Sequence, residues 1–120
     1  MKVLIDTSVW IQHLRGPLPE LALLIQNRQV LVHPLVIGEL ACGALRDRDA
    51  FLVNLKLLPK AAPAQLSESI ELIETHSLYN RGLGFSDVQL LASALLSGSK
   101  LWTLDQALER AATQLGVGRK

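Results

Sequence analysis

The carboxylates hold the chemistry of this chain, and their surroundings sort them. Of eleven in 120 residues, seven have an ordinary place in a folded protein. Glu68, Glu71 and Glu74 repeat along one solvated helix face, and Asp47 and Asp49 alternate with Arg46 and Arg48. Glu20 follows Pro19 in a first helical turn, and Glu109 adjoins Arg110. Asp6, Glu39, Asp87 and Asp105 are different. Glu39 is the only charge between Arg28 and Arg46, and Asp87 the only one between Arg81 and Lys100. Asp6 separates Val3-Leu4-Ile5 from Val9-Trp10-Ile11. A carboxylate in such surroundings is expected to be partly desolvated, which is costly without a cation or several donors to compensate. No basic residue adjoins any of the four. Brought together they would repel by about 1–4 kcal/mol per pair. A divalent cation is the natural counter-charge, and an oxygen-only ligand set selects Mg²⁺ or Mn²⁺.

Plainer roles stand beside this reading. Asp6 and Asp105 could cap helices. Ser86-Asp87-Val88-Gln89 is a capping-box pattern that would make Asp87 a first-turn acid. Glu39 lies mid-helix, where its plain alternative is an exposed position.

The elements that would position these acids follow from the spacing of apolar residues. Lys2–Ile5, Val30–Val32 and Leu101–Leu104 read as short buried strands, with Leu57-Leu58-Pro59 as an edge strand. Helices are expected over about 9–14, 19–27, 34–46, 49–56, 63–79, 86–96 and 105–115. In the helix opened by Pro63, Leu66, Ile70, Ile73 and Ser77 are expected to face inward. Apolar strands alternating with helices imply a parallel sheet covered on both faces, an α/β fold built as a three-layer α/β/α sandwich with four or five strands. Asp6 ends the first strand and Asp105 follows the last. Ligands of open parallel sheets sit beyond the carboxyl ends of the strands.

Composition narrows the class. One domain spanning residues 1–120 is expected from the length and the 49% hydrophobic content. A net charge of +1 argues against a polycation that holds nucleic acid by bulk neutralisation. The single Cys42 excludes an intramolecular disulfide and reads as a buried thiol in a reducing compartment. The apolar run after Lys2 is too short for a secretory signal, and the uncharged stretch Val88–Ser99 is too short to span a bilayer. A soluble cytoplasmic protein is expected. His13, His33 and His76 lack metal-ligand spacing and read as surface or capping residues.

Met1–Trp10 with Asp6-Thr7-Ser8, Gly38-Glu39-Leu40, Ser86–Ala92 and Thr103-Leu104-Asp105 together resemble the PIN domain, and more narrowly the VapC-type toxin ribonucleases of bacterial toxin–antitoxin pairs. The resemblance spans the chain in order. It implies a Mg²⁺- or Mn²⁺-dependent endoribonuclease with Asp6, Glu39, Asp87 and Asp105 as catalytic and metal-holding acids. Thr7 or Ser8, and Thr103, would support them by hydrogen bonding. It also implies an RNA substrate, a small antitoxin, a homodimer and no membrane. Arg46, Arg48 and Arg81 become candidate guides for substrate phosphates. Two departures stand out: Leu108 replaces a frequent aromatic, and the tail at Gly116–Lys120 suggests four strands and a weaker edge. The alternatives are a non-catalytic PIN-like or receiver-like binding domain, or a haloacid-dehalogenase-like phosphatase with Asp6 as nucleophile. The phosphatase reading expects an acid where Ser8 stands.

Overall fold

Three very short strands hold the molecule together because each is almost wholly apolar. The computed structural model describes residues 1–119. Strands β1 (Val3–Ile5), β2 (Val30–Leu31) and β3 (Lys100–Trp102) form one parallel sheet in the order β2-β1-β3. Val3 and Leu4 pair with Val30 and Leu31 on one side, while Val3, Leu4 and Ile5 pair with Lys100, Leu101 and Trp102 on the other. The central strand is buried throughout, as a strand covered on both faces must be.

Seven helices surround the sheet: α1 (Thr7–Arg15), α2 (Pro19–Gln26), α3 (Pro34–Ala41), α4 (Arg48–Lys56), α5 (Leu66–His76), α6 (Phe85–Ser97) and α7 (Gln106–Gln114). Helices α1, α3 and α4 form one packed series, and α5, α6 and α7 another, the latter resting on β3 through α6 and α7. The core is aliphatic, centred on Leu4, Ile5, Leu21, Leu40, Leu55, Leu90, Leu91, Leu101 and Leu108. This is the expected α/β architecture.

The sheet is narrower than expected. Leu57 ends α4 with 78% of its surface exposed, and the chain meets β2 only where Val32 bridges Lys60. Pro59 lacks an N–H, although its carbonyl accepts from the Val32 N–H at 2.9 Å. At the other edge a single bridge joins Leu101 to Gly118. One-residue bridges therefore stand where outer strands were expected; Lys120 lies outside the described residues.

Other expectations are corrected by packing. The helix from Pro34 ends at Ala41, whose carbonyl accepts from Arg48 Nε at 3.2 Å and Nη2 at 3.0 Å. Helix α5 starts at Leu66, three residues after Pro63, with Gln65 as its N-cap. Leu66 and Ile70 face outward, 65% and 46% exposed, while Ser69 is buried and Leu72 and Ile73 pack on the core. Helix α5 thus buries the face carrying Ser69, Leu72 and Ile73, rotated from the one the apolar count alone suggests. Cys42 ends α3 and is exposed, not buried.

Two histidines accept from backbone N–H groups at helix starts. Buried His33 is the N-cap of α3, its Nδ1 accepting from the Leu35 N–H at 3.0 Å, and His13 Nδ1 accepts from the Leu18 N–H at 2.9 Å. Burial lowers the pKa of both below 6.5. The neutral form is favoured in the fold, so their contribution is complete above pH 6.5 and is lost as pH falls through the depressed values. The urea midpoint should fall between pH 7 and 5.5, and His33→Asn, which caps without titrating, should reduce that fall. An identical pH dependence in the variant would refute the assignment.

Candidate active site

The carboxyl end of β1 is where a buried acid is created. Asp6 follows Ile5 directly, and its N–H donates to the Trp102 carbonyl at 2.9 Å, extending the β1–β3 ladder. Its own carbonyl then accepts from Val9 at 3.1 Å as α1 begins. The residue is only 8% exposed. Compensation comes from hydroxyls: Ser8 Oγ donates to Asp6 Oδ2 at 2.6 Å and Thr103 Oγ1 to the same oxygen at 2.8 Å. Both hydroxyls accept from the loop after β3, Ser8 Oγ from the Leu104 N–H and Thr103 Oγ1 from the Asp105 N–H, each at 3.0 Å. The loop carrying Asp105 is thereby tied to Asp6.

The other three acids are each held once. Glu39, on the sixth residue of α3, accepts from Thr7 Oγ1 at 2.8 Å through Oε1, which links α3 to the first residue of α1. Asp87 lies in the first turn of α6, and its Oδ2 accepts from the Gly84 N–H at 2.8 Å. Asp105 is the N-cap of α7, its Oδ1 accepting from the Leu108 N–H at 3.0 Å. The plain reading of Asp105 as a cap is thus realised, and Asp87 acts as first-turn acid with Gly84, not Ser86, as N-cap. Asp6, Asp87 and Asp105 all stand at helix N-termini, where the partial positive charge favours anions.

Electrostatics tie the four together. The Asp87 carboxyl is pushed above its ordinary range, first by burial, and also by the charges of Asp6, Asp105 and Glu39; the Gly84 hydrogen bond opposes this. Asp87 thus feels the charge of each of the other three acids. Desolvation is uneven, however: Asp6 is buried and Asp87 half-buried, whereas Glu39 and Asp105 are exposed. Neither ion pair among the described residues, Arg48–Asp49 or Arg119–Glu20, involves any of the four.

The candidate phosphate guides are engaged elsewhere or simply exposed. Arg48 pairs with Asp49 at 3.1 Å besides closing α3, and Arg81 Nη1 donates to Gln114 Oε1 at 2.6 Å. Arg46 is exposed in the α3–α4 turn. None of the three is among the charges acting on Asp87. The Gly84 and Leu104 N–H groups were not legible as site groups, because backbone donors leave no mark on side-chain identity.

Among the described residues, no group of three or more His, Cys, Asp or Glu is already arranged to hold a metal ion. The donor chemistry nevertheless fits a hard divalent cation. Every candidate ligand is a carboxylate with one oxygen engaged by the scaffold, Asp87 is acted on by the charges of the other three, and no ion pair among the described residues offsets them.

The chain belongs to the PIN-domain family, whose model matches residues 3–114. Two curated relatives named Ribonuclease VapC32, from Mycobacterium tuberculosis strains CDC 1551 / Oshkosh and ATCC 25618 / H37Rv, are each 41% identical over 116 residues, covering 96% of this chain and 94% of theirs. The crystal structure of PAE2754 from Pyrobaculum aerophilum shares the fold, with a TM-score of 0.59 and 19% identity over 97% of this chain and 90% of that one. Membership of the family agrees with the motif resemblance and sets the phosphatase and receiver-like readings aside.

Thr103→Val should cost about 1.5–3 kcal/mol, because a buried carboxylate loses a donor. Thr103→Ser should restore most of it in urea unfolding. A valine variant as stable as wild type would show that Ser8 alone satisfies Asp6.

Proposed function

We propose that this protein is a VapC-type toxin, an endoribonuclease that hydrolyses RNA phosphodiester bonds with Mg²⁺ or Mn²⁺. The observation behind it is that Asp6, Asp105 and Glu39 all act on Asp87 through charge, in a PIN-family chain 41% identical to a named ribonuclease. Asp6, Glu39, Asp87 and Asp105 are the residues that would hold the cation. When bound, the cation would lower the pKa of a water and neutralise charge developing on the phosphate oxygens.

The remaining work falls to the chain's own groups. Ser8 and Thr103 fix Asp6 by donating to Oδ2, Thr7 fixes Glu39 through Oε1, and the Gly84 N–H fixes Asp87 through Oδ2. A fixed carboxylate needs little reorganisation when charge develops nearby. Arg46, Arg48 and Arg81 are proposed only as outer guides along the RNA backbone, Arg48 and Arg81 after exchanging their present partners. The partners are an RNA, a small antitoxin protein that covers the site, and a second copy of the chain. The site of action is the cytoplasm; no helix among the described residues is long and apolar enough to cross a membrane.

Asp6→Asn or Asp87→Asn should lower RNA cleavage by at least about 100-fold, the cost of losing one preorganised electrostatic group. Circular dichroism should show that both variants stay folded. Undiminished cleavage by both would show that these acids do not carry the reaction. Excess chelator should abolish activity and Mg²⁺ or Mn²⁺ should restore it; cleavage that persists in chelator would remove the metal from the mechanism.

A further inference from the structure

Against the segment between β3 and α7, which carries Asp105, lies a cavity of about 580 Å³ whose lining includes Glu20, Trp102, Thr103, Leu104, Gln106 and Arg119. We propose that it is a subsite for one nucleobase of the RNA strand, beside the scissile phosphate, with the Arg119 guanidinium as its stacking surface. The proposal rests on the ribonuclease reading and adds to it how a cut site is chosen.

Position comes first. Thr103 holds Asp6, Leu104 holds Ser8, and Gln106 follows Asp105, so the cavity begins where the acid-bearing loop ends. Its volume lies within the range of about 300–1,000 Å³ that encloses small ligands. The character of the walls comes next. Arg119 sits 4.3 Å above the centre of the Trp102 ring and pairs with Glu20 on α2, so its planar group is held in place from two sides. A guanidinium stacked on an indole is preorganised and weakly hydrated, and RNA-binding proteins use such planes to stack unpaired bases. Leu104, 51% exposed, supplies an apolar wall, and Gln106, exposed at the first position of α7, supplies both a donor and an acceptor for a base edge.

Charge decides which part of a nucleotide enters. Arg119, the cation among the lining residues, is already paired with Glu20, so little positive charge is left to draw a phosphate into the cavity. The phosphate therefore stays over the acids while the neighbouring base turns aside into the cavity.

The test is cut-site mapping on single-stranded RNA of random sequence with Mg²⁺ or Mn²⁺. Wild type should show a base preference next to the cut. Arg119→Ala should flatten that preference and lower kcat/KM on the preferred site by roughly 5- to 100-fold, the range for losing one base-stacking contact. Arg119→Lys keeps the charge without the plane and should behave like Arg119→Ala. Gln106→Ala, at an exposed position, should shift the preference at unchanged Tm. A purely structural tether predicts instead a lower Tm, an unchanged preference and rescue by lysine, and that pattern overturns the proposal. The proposal also fails if all three variants cut at wild-type positions with wild-type relative rates. Wild-type protein that cuts no RNA refutes the ribonuclease reading itself, and the subsite with it.

Discussion

A carboxylate at the buried end of the central strand is the demand that the rest of the fold answers. An unpaired ion in an apolar environment is unstable, and Asp6 has no cation to meet it among the ion pairs of the described residues. It has two hydroxyls, each steadied by a backbone N–H from the loop after β3. That loop can reach Asp6 only because β3 lies directly beside β1 in the sheet. Sheet order, loop geometry and hydroxyl placement are therefore one arrangement seen at three scales.

The other acids extend the same logic to their neighbours. Three N-termini of helices point their positive ends toward the site, and a threonine of α1 reaches across to α3. Those contacts offset part of the repulsion, but the raised acid range of Asp87 shows that they do not remove it.

Much of this was legible in the residues, for a physical reason. Apolar runs such as Val3-Leu4-Ile5 have only one good use in a small domain, and an acid that ends such a run is placed by the strand itself. Asp6 and Asp105 were therefore located once the strands were. Helix faces were harder to read. Leu66 and Ile70 look like core residues by type, yet the fully buried residue of α5 is the small Ser69, and small residues carry little signal. Cys42 misled similarly, because its apolar neighbours predict burial while the end of α3 exposes it. The arginines were judged by nearness in sequence, whereas Arg48 and Arg81 are committed to α3 and α7. Arg119, by contrast, lines a cavity against the segment that leads from β3 to Asp105.

The two single-residue bridges have a consequence for how this molecule can meet others. A sheet edge with several free N–H and C=O groups invites a foreign strand to add to it. Here β2 is met by Lys60 just after a proline, and β3 is met by the Val117–Gly118 segment, with Leu101 donating to the Val117 carbonyl. Both rims are occupied by the chain's own backbone before a continuous pairing surface can form. A strand added at either rim would first have to displace these segments, which leaves side chains on the helices as the readier surface, where sequence can be read.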